Sequence, residues 1–153
     1  IMDKAKKQGC EIILPVDGVA ADAFSATAKT TVTAADKIPE GTMILDIGPQ
    51  SAAHIVEKLK GCKTAVWNGP LGAFEIKPFD KGTAEVAQAV AALTAQGKLV
   101  SVAGGGDTVA ALEAAGVTEK MSYVSTAGGA FLEWMEGKAL PGVAALSAYR
   151  NAA

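Results

Sequence analysis

The segment Leu99-Val-Ser-Val-Ala-Gly-Gly-Gly-Asp-Thr108 decides the fold, because glycines there join an apolar strand to the start of a helix. The pattern predicts a strand over 99–103 and a helix from about 108 to 115. At such a junction, free backbone N–H groups and the positive end of the helix dipole point at the same place. Glycines carry no Cβ, so a phosphate can approach their backbone closely. The segment therefore predicts an α/β unit with an anion site at the end of its strand.

The same segment contains a candidate metal ligand. Asp107 supplies a carboxylate that suits magnesium, and Thr108 adds an N–H group and a hydroxyl. The segment lacks the lysine of a Walker A loop, and Val109 stands where the last glycine of a dinucleotide fingerprint would be. The alternative interpretation is a tight turn in which Asp107 only caps the helix.

Outward from this segment, apolar strand-like runs alternate with helical stretches, which favours an α/β fold with a mainly parallel sheet. We expect strands over 11–17, 42–48, 63–67, 99–103 and 122–125, with a short antiparallel excursion over 29–33. We expect helices over 1–9, 51–61, 83–96, 108–115 and 131–136, the second of them capped by Ser51.

Two other segments also follow predicted strands. In Trp67-Asn-Gly-Pro-Leu-Gly-Ala-Phe-Glu75, Asn68 suits phosphate, Pro70 or Leu71 suits a flat base, and Glu75 suits ribose hydroxyls. An ordinary polar loop is the alternative. Ser125-Thr-Ala-Gly-Gly129 can bind an anion or only permit close packing. Three such loops at strand ends favour one shared phosphate-lined edge of the sheet.

Composition limits the class of protein. The chain has 153 residues, 50% of them hydrophobic and 20% charged, which predicts one soluble globular domain. The net charge of −2 and a single arginine, Arg150, argue against a nucleic-acid partner. Cys10 and Cys62 form no disulfide framework or metal-ligand spacing, which favours a reduced, cytoplasmic compartment.

The sequence shows no sign of a membrane span or of a signal peptide. No apolar run approaches the roughly 20 residues of a membrane span, and the charged opening is unlike a signal peptide. That opening is typical of the last turns of a helix that starts upstream, so we expect a truncated chain.

Taken together, these motifs resemble the phosphoglycerate kinase family. The motifs occur in the family's order: Leu14-Pro-Val-Asp17, Asp46-Ile-Gly-Pro49, Trp67-Asn-Gly-Pro70, Gly72-Ala-Phe-Glu75, Gly104-Gly-Gly-Asp-Thr108 and Ser125-Thr-Ala-Gly-Gly129. The tail from Phe131 to Lys138 and on through Leu140-Pro-Gly142 is also similar. The resemblance implies a Rossmann-like, three-layer α/β/α domain, the C-terminal half that binds magnesium ADP or ATP, here incomplete. Residues 1–153 would form this single domain fragment, without the N-terminal domain that binds phosphoglycerate.

The resemblance also implies roles for individual residues. Gly105 and Gly106 would offer catalytic N–H groups, and Asp107 would hold Mg²⁺, with Thr108 in the same phosphate loop. The other implied roles are Asn68 near the phosphates, Glu75 at the ribose, Gly48 and Pro70 near the adenine, and Ser125 and Thr126 near the hinge. Ala127 departs from the family, which usually has glycine there, so it receives no ligand role.

The resemblance implies reversible phosphoryl transfer between 1,3-bisphosphoglycerate and ADP, giving 3-phosphoglycerate and ATP, in glycolysis. The family's glycine-rich lysine motif does not precede Ile1, so we expect the fragment to be inactive alone. The partners expected are the nucleotide and the missing domain of a monomeric parent enzyme, with neither nucleic acid nor membrane. The alternative is a folded module that no longer binds nucleotide and self-associates through an uncovered sheet edge.

Overall fold

The computed structural model describes residues 1–152, with side chains at 1–147 and 149. The side chain of Arg150 lies outside these described parts. The described strands are β1 (Asp17–Ala21), β2 (Thr30–Ala34), β3 (Met43–Ile47), β4 (Thr64–Asn68), β5 (Val100–Gly104) and β6 (Tyr123–Ser125). The described helices are α1 (Met2–Lys7), α2 (Pro49–Lys60), α3 (Lys81–Ala95), α4 (Gly106–Ala114), α5 (Gly128–Met135) and α6 (Pro141–Ala152). The predicted α/β class is confirmed.

The strands form two sheets of three. The parallel sheet has the order β4-β5-β6, and the glycine-rich segment leaves its central strand. The second sheet has the order β2-β1-β3 and is antiparallel, which confirms the excursion predicted over 29–33. Over residues 1–152, no strand ladder joins the two sheets.

The hydrophobic core lies between the parallel sheet and the helices around it. Alanine-rich α3 buries one face, on which Val86 and Val90 are 3% and 1% exposed. Leu99, before β5, and Leu112, on α4, are buried in the same hydrophobic cluster. Each such aliphatic side chain contributes about 1.5–3 kcal/mol when fully buried. This packing holds the starts of α3 and α4 against the carboxyl end of the parallel sheet.

The strand predicted over 11–17 is wrong for most of its length. Residues 10–16 have no regular structure, and β1 begins only at Asp17. Leu14 is 63% exposed, although it lies in a β-branched apolar run. A strand needs a neighbour that pairs with its backbone along its length. Among the described residues this run joins no strand ladder, and its partners lie at Val16, which accepts the N–H of Ala35 and donates to the Ser51 hydroxyl, each at 2.9 Å.

The predicted cap of α2 is also wrong. The helix begins at Pro49 with Gly48 as its N-cap residue, and no side chain near in sequence caps it. Asp17 of β1 does so from a distance: its carboxylate accepts the N–H groups of Gln50 (3.0 Å) and Ser51 (2.8 Å). The Ser51 hydroxyl donates to the same carboxylate at 2.6 Å instead of capping its own helix. β1 is thereby fixed to the start of α2.

Helix α6 (Pro141–Ala152) lies where no helix was predicted. Pro141 occupies the first position of α6, where proline is favoured because its missing N–H is not needed. Within residues 1–152, every helix is too short or too polar to cross a membrane.

Candidate nucleotide site

The carboxyl ends of the three parallel strands lie side by side. Asn68 at the end of β4 pairs in register with Gly104 of β5, which pairs with Ser125 of β6. The three loops predicted to meet therefore do meet at one edge of the sheet. The N–H of Gly105 donates to the carbonyl of Ser125 at 3.0 Å, so two of the loops are also joined beyond the strands.

The glycine loop has the backbone geometry of an anion cradle. Gly105 has a φ of 102°, which disfavours any L-residue with a side chain, and it is the N-cap residue of α4. Gly106 begins α4, is exposed, and has open space where a Cβ would point. The first-turn N–H groups of α4 thus face an accessible edge, which is where an anion is stabilised.

Gly128 shows that the segment 125–129 packs closely against the glycine loop. A Cβ on Gly128 would lie 2.6 Å from the backbone nitrogen of Gly105, so only glycine allows α5 to start this close to the loop. Close packing is therefore one function of this segment. The side chain of Ser125 accepts the N–H of Ala127 at 3.1 Å, and Thr126 is exposed beside it.

Asp107 does not act as a helix cap. It is exposed in the first turn of α4, and it makes no hydrogen bond or ion pair with the described residues. Among those residues, no group of three or more His, Cys, Asp or Glu side chains could hold a metal ion. A single carboxylate beside a phosphate cradle fits Mg²⁺, which is usually bound by one or two carboxylates together with substrate phosphates and water. The residues present therefore fit a magnesium ion that arrives with a nucleotide.

Thr108 points away from the open edge. It is 2% exposed, and its hydroxyl accepts the N–H of Gly69 at 2.7 Å. The hydroxyl that the sequence analysis assigned to the phosphate loop thus also holds the loop after β4 against α4.

Beyond Gly69, the chain passes a cleft of about 430 Å³ between β3 and the loop. Pro70 lines the cleft as an apolar wall, together with Ile44, Leu45 and Ala73. The N–H of Ala73 donates to the carbonyl of Leu45 at 2.8 Å, which fixes the loop beside β3. Sequence reasoning missed Ile44, Leu45 and Ala73, because a contact between a strand and a distant loop leaves no local pattern.

Two of the expected residues do not line this cleft. Gly48 is buried as the N-cap of α2, and a Cβ there would collide with the Asp17 carboxylate. It lines a neighbouring cavity of about 320 Å³, beside Pro49 and Lys81. Glu75 is exposed after Ala73 and does not line the cleft.

Two buried carboxylates, Asp17 and Asp46, also line the cleft, and both accept hydrogen bonds from helix starts. Asp46 accepts the N–H of Gly82 in α3 and of Ile47, each at 2.8 Å. Burial raises the pKa of Asp46 despite these hydrogen bonds, and the negative charge of Asp80 adds to the rise. At Asp17 burial acts in the same direction, but hydrogen bonds from Ser51 and Gln50 outweigh it and lower the pKa. The carboxylate oxygens of Asp17 and Asp46 thus accept hydrogen bonds from backbone N–H groups and, at Asp17, from the Ser51 hydroxyl.

Comparison with known proteins agrees with these features. The sequence model of the family described as phosphoglycerate kinase matches residues 1–138. The phosphoglycerate kinase of Granulibacter bethesdensis is 62% identical over 148 residues, 97% of this chain and 37% of the relative. That of Xanthobacter flavus is 60% identical over 146 residues, 95% of this chain and 37% of the relative.

Solved structures give the same result. Phosphoglycerate kinase from Coxiella burnetii superposes with a TM-score of 0.82 at 46% identity, over 90% of this chain and 35% of that one. The enzyme from Pyrococcus horikoshii has a TM-score of 0.73 at 27% identity, over 95% and 39%. This chain spans 37% of the length of the curated relatives described above. It belongs to the phosphoglycerate kinase family.

Proposed function

We propose that this chain carries the nucleotide site of a phosphoglycerate kinase and binds magnesium ADP or ATP at the carboxyl edge of its parallel sheet. The observation that carries the proposal is the start of α4, where Gly105, Gly106 and the exposed Asp107 form an open cradle. The cleft that contains Pro70 lies along the loop that starts at this edge, and its apolar walls suit a flat base.

The proposed division of roles follows the geometry. The N–H groups of Gly106 and the rest of the first turn of α4, together with the helix dipole, would stabilise negative charge on the phosphates. The N–H of Gly105 is already donated to Ser125, so Gly105 would contribute its backbone shape, with Asn68 beside it. Asp107 would hold the magnesium ion, which neutralises phosphate charge when it is bound. Glu75 is exposed two residues after Ala73, which lines the cleft, and would accept hydrogen bonds from ribose hydroxyls.

For the whole enzyme, we propose the reversible transfer of a phosphoryl group between 1,3-bisphosphoglycerate and ADP, as a glycolytic step in the cytoplasm. In the reverse direction a carboxylate attacks, so the reaction needs positioning and charge stabilisation rather than a general base. We place the phosphoglycerate site in the part of the full-length relatives that this chain does not span. Ser125 and Thr126, at the end of β6, would face that part.

Calorimetric titration with ADP, with and without magnesium, tests the nucleotide site. We expect magnesium-dependent binding that Asp107→Ala weakens about tenfold or more, as for loss of a charge-assisted contact. Glu113→Ala is the matched control, because Glu113 is exposed on the same helix away from the cradle. Absence of binding to the folded chain, or equal effects of the two substitutions, would contradict the proposal.

We further propose that the 153-residue chain alone does not complete the reaction, since one substrate site lies elsewhere. A coupled assay of ATP formation, with contaminating host enzyme excluded by a mock purification, checks this. Turnover clearly above the mock preparation would contradict it.

A second candidate function is self-association, and the edge of the parallel sheet favours it. Within residues 1–152, β4 pairs only with β5, so its other edge has free backbone groups. A groove of about 270 Å³ runs along that edge, lined by apolar residues that include Ile55, Leu59 and Val66. Antiparallel pairing of two copies about Val66 would place Ala65 opposite Trp67, a small residue against a large one.

Light scattering over a range of concentrations, together with the nucleotide titration, separates the two functions, because the alternative requires oligomers without nucleotide affinity. Self-association predicts a dimer that Val66→Lys disperses, because Val66 is 41% exposed on this edge and a charge there opposes pairing. A monomer at all concentrations would leave the nucleotide site as the only proposed function.

A further inference from the structure

The loop 68–73 joins the phosphate edge to the cleft, and three of its backbone N–H groups, at alternate residues, are hydrogen-bonded to other elements. Gly69 donates to the Thr108 hydroxyl of α4 at 2.7 Å, and Leu71 donates to the Thr83 hydroxyl of α3 at 3.0 Å. Ala73 donates to a carbonyl of β3 at 2.8 Å. Each anchor comes from a different element, so the loop has little freedom to shift as a unit.

Thr83 is the anchor that touches neither part of the proposed ligand site. It is 2% exposed in the first turn of α3, and it lines neither the cleft nor the glycine loop. Its helix start is itself fixed, because Asp46 of β3 accepts the N–H of Gly82 at 2.8 Å. The position of the Thr83 hydroxyl is therefore set by the core and not by a ligand.

The loop determines how the two halves of the site relate to each other. Asn68 at its start lies beside Gly105, whereas Pro70, Leu71 and Ala73 line the cleft. The backbone between Asn68 and Ala73 thus sets the separation between the phosphate cradle and the apolar walls. A nucleotide that fills both halves needs that separation to be correct.

We propose that Thr83 is a positioning residue for nucleotide binding, which acts by holding the N–H of Leu71. The proposal rests on the proposed function of the site. Without the hydroxyl, the Leu71 N–H loses its partner and the centre of the loop is released, which lowers the fraction of chains whose cleft and cradle are correctly spaced.

The test compares Thr83→Val with Thr83→Ser and with a matched control, Thr94→Val. Thr94 lies on the same helix, and its hydroxyl makes two hydrogen bonds, to the Val90 carbonyl and to Ser101, each 2.8 Å long and far from the loop. We expect Thr83→Val to weaken magnesium ADP binding about tenfold. Thr83→Ser should restore affinity to within about twofold, because it keeps the acceptor. Thr94→Val should lower the melting temperature without changing affinity.

Amide hydrogen exchange of the free chain makes the outcome independent of ligand. Thr83→Val should accelerate exchange at Leu71, and Thr94→Val should leave it unchanged. Equal affinities for Thr83→Val and Thr94→Val, or unchanged exchange at Leu71, would overturn the positioning role. If the wild-type chain does not bind magnesium ADP, the proposed function fails, and faster exchange at Leu71 still supports the anchoring of the loop.

Discussion

Replacing Asp17 by alanine tests the most unusual structural feature, the capping of α2 by a residue on a distant strand. Asp17 is 3% exposed, and its carboxylate accepts the N–H groups of Gln50 and Ser51 and the Ser51 hydroxyl. In Asp17→Ala, the hydroxyl can turn to the carbonyl of residue 17, which is 3.0 Å away. The two N–H groups keep no such second acceptor.

The expected cost follows from those two donors. An unsatisfied buried donor costs about 1–3 kcal/mol. The Ser51 N–H is buried and the Gln50 N–H is only partly buried, so we expect a loss of about 3 kcal/mol, in the lower half of the range for two donors, in the free energy of unfolding. For a domain of this size, that lowers the melting temperature by about 6–12 °C. Urea denaturation followed by circular dichroism measures the loss, and Asp36→Ala is the control, because Asp36 is exposed in a turn. A loss below about 1 kcal/mol, or an equal loss in the control, would refute the capping account.

The pH dependence provides an independent check of the same carboxylate. The pKa of Asp17 is lowered in the fold from its usual 3.8, because its hydrogen bonds outweigh burial. The folded state therefore releases this proton more readily than the unfolded state, so the contribution is complete above pH 3.8. It is lost as the pH falls through 3.8 to the folded pKa, and the difference between wild type and Asp17→Ala should shrink in that range. A difference that grows on acidification would contradict this sign.

Three further predictions concern the residues around the site. Burial raises the pKa of Asp46 above its usual 3.8. The free energy of unfolding of the wild type, relative to that of Asp46→Asn, should therefore fall as the pH rises above 3.8. Urea denaturation at pH 4 and pH 7 measures this difference. Gly105→Ala should cost about 1–2 kcal/mol in thermal unfolding because φ is 102°, whereas Gly106→Ala, in open space, should cost little. Gly128→Ala should lower the melting temperature and weaken magnesium ADP binding, because its Cβ would displace Gly105, and Gly129→Ala is the open-space control.

Local patterns in the sequence predicted the parts of the fold that depend on local physics. The strand–glycine–helix junction at 99–108 was predicted almost to the residue, because apolar periodicity and glycine geometry act within a few positions. The meeting of Asn68, Gly105 and Ser125 at one edge also followed, since parallel strands align their carboxyl ends.

The errors arise where distant segments decide the outcome. The run 11–16 has strand propensity, but a strand also needs a partner, and propensity does not reveal whether one is present. Serine is a favoured helix cap, but the helix begins earlier, at Pro49. The carboxylate of Asp17 accepts the N–H groups that a local cap would have accepted. The cleft walls Leu45 and Ala73 meet through one backbone hydrogen bond between remote segments, which no spacing in the sequence encodes.

The most direct test of the central claim is a titration of the isotopically labelled chain with magnesium ADP, followed through its backbone amide NMR signals. The account predicts that Gly105, Gly106 and Asp107 shift together with Leu71 and Ala73, because the nucleotide would occupy the cradle and the cleft at once. Signals from β2, on the other sheet, should stay unchanged. Saturating shifts confined to other regions, or no shifts at millimolar nucleotide, would contradict a nucleotide site at the carboxyl edge of the parallel sheet.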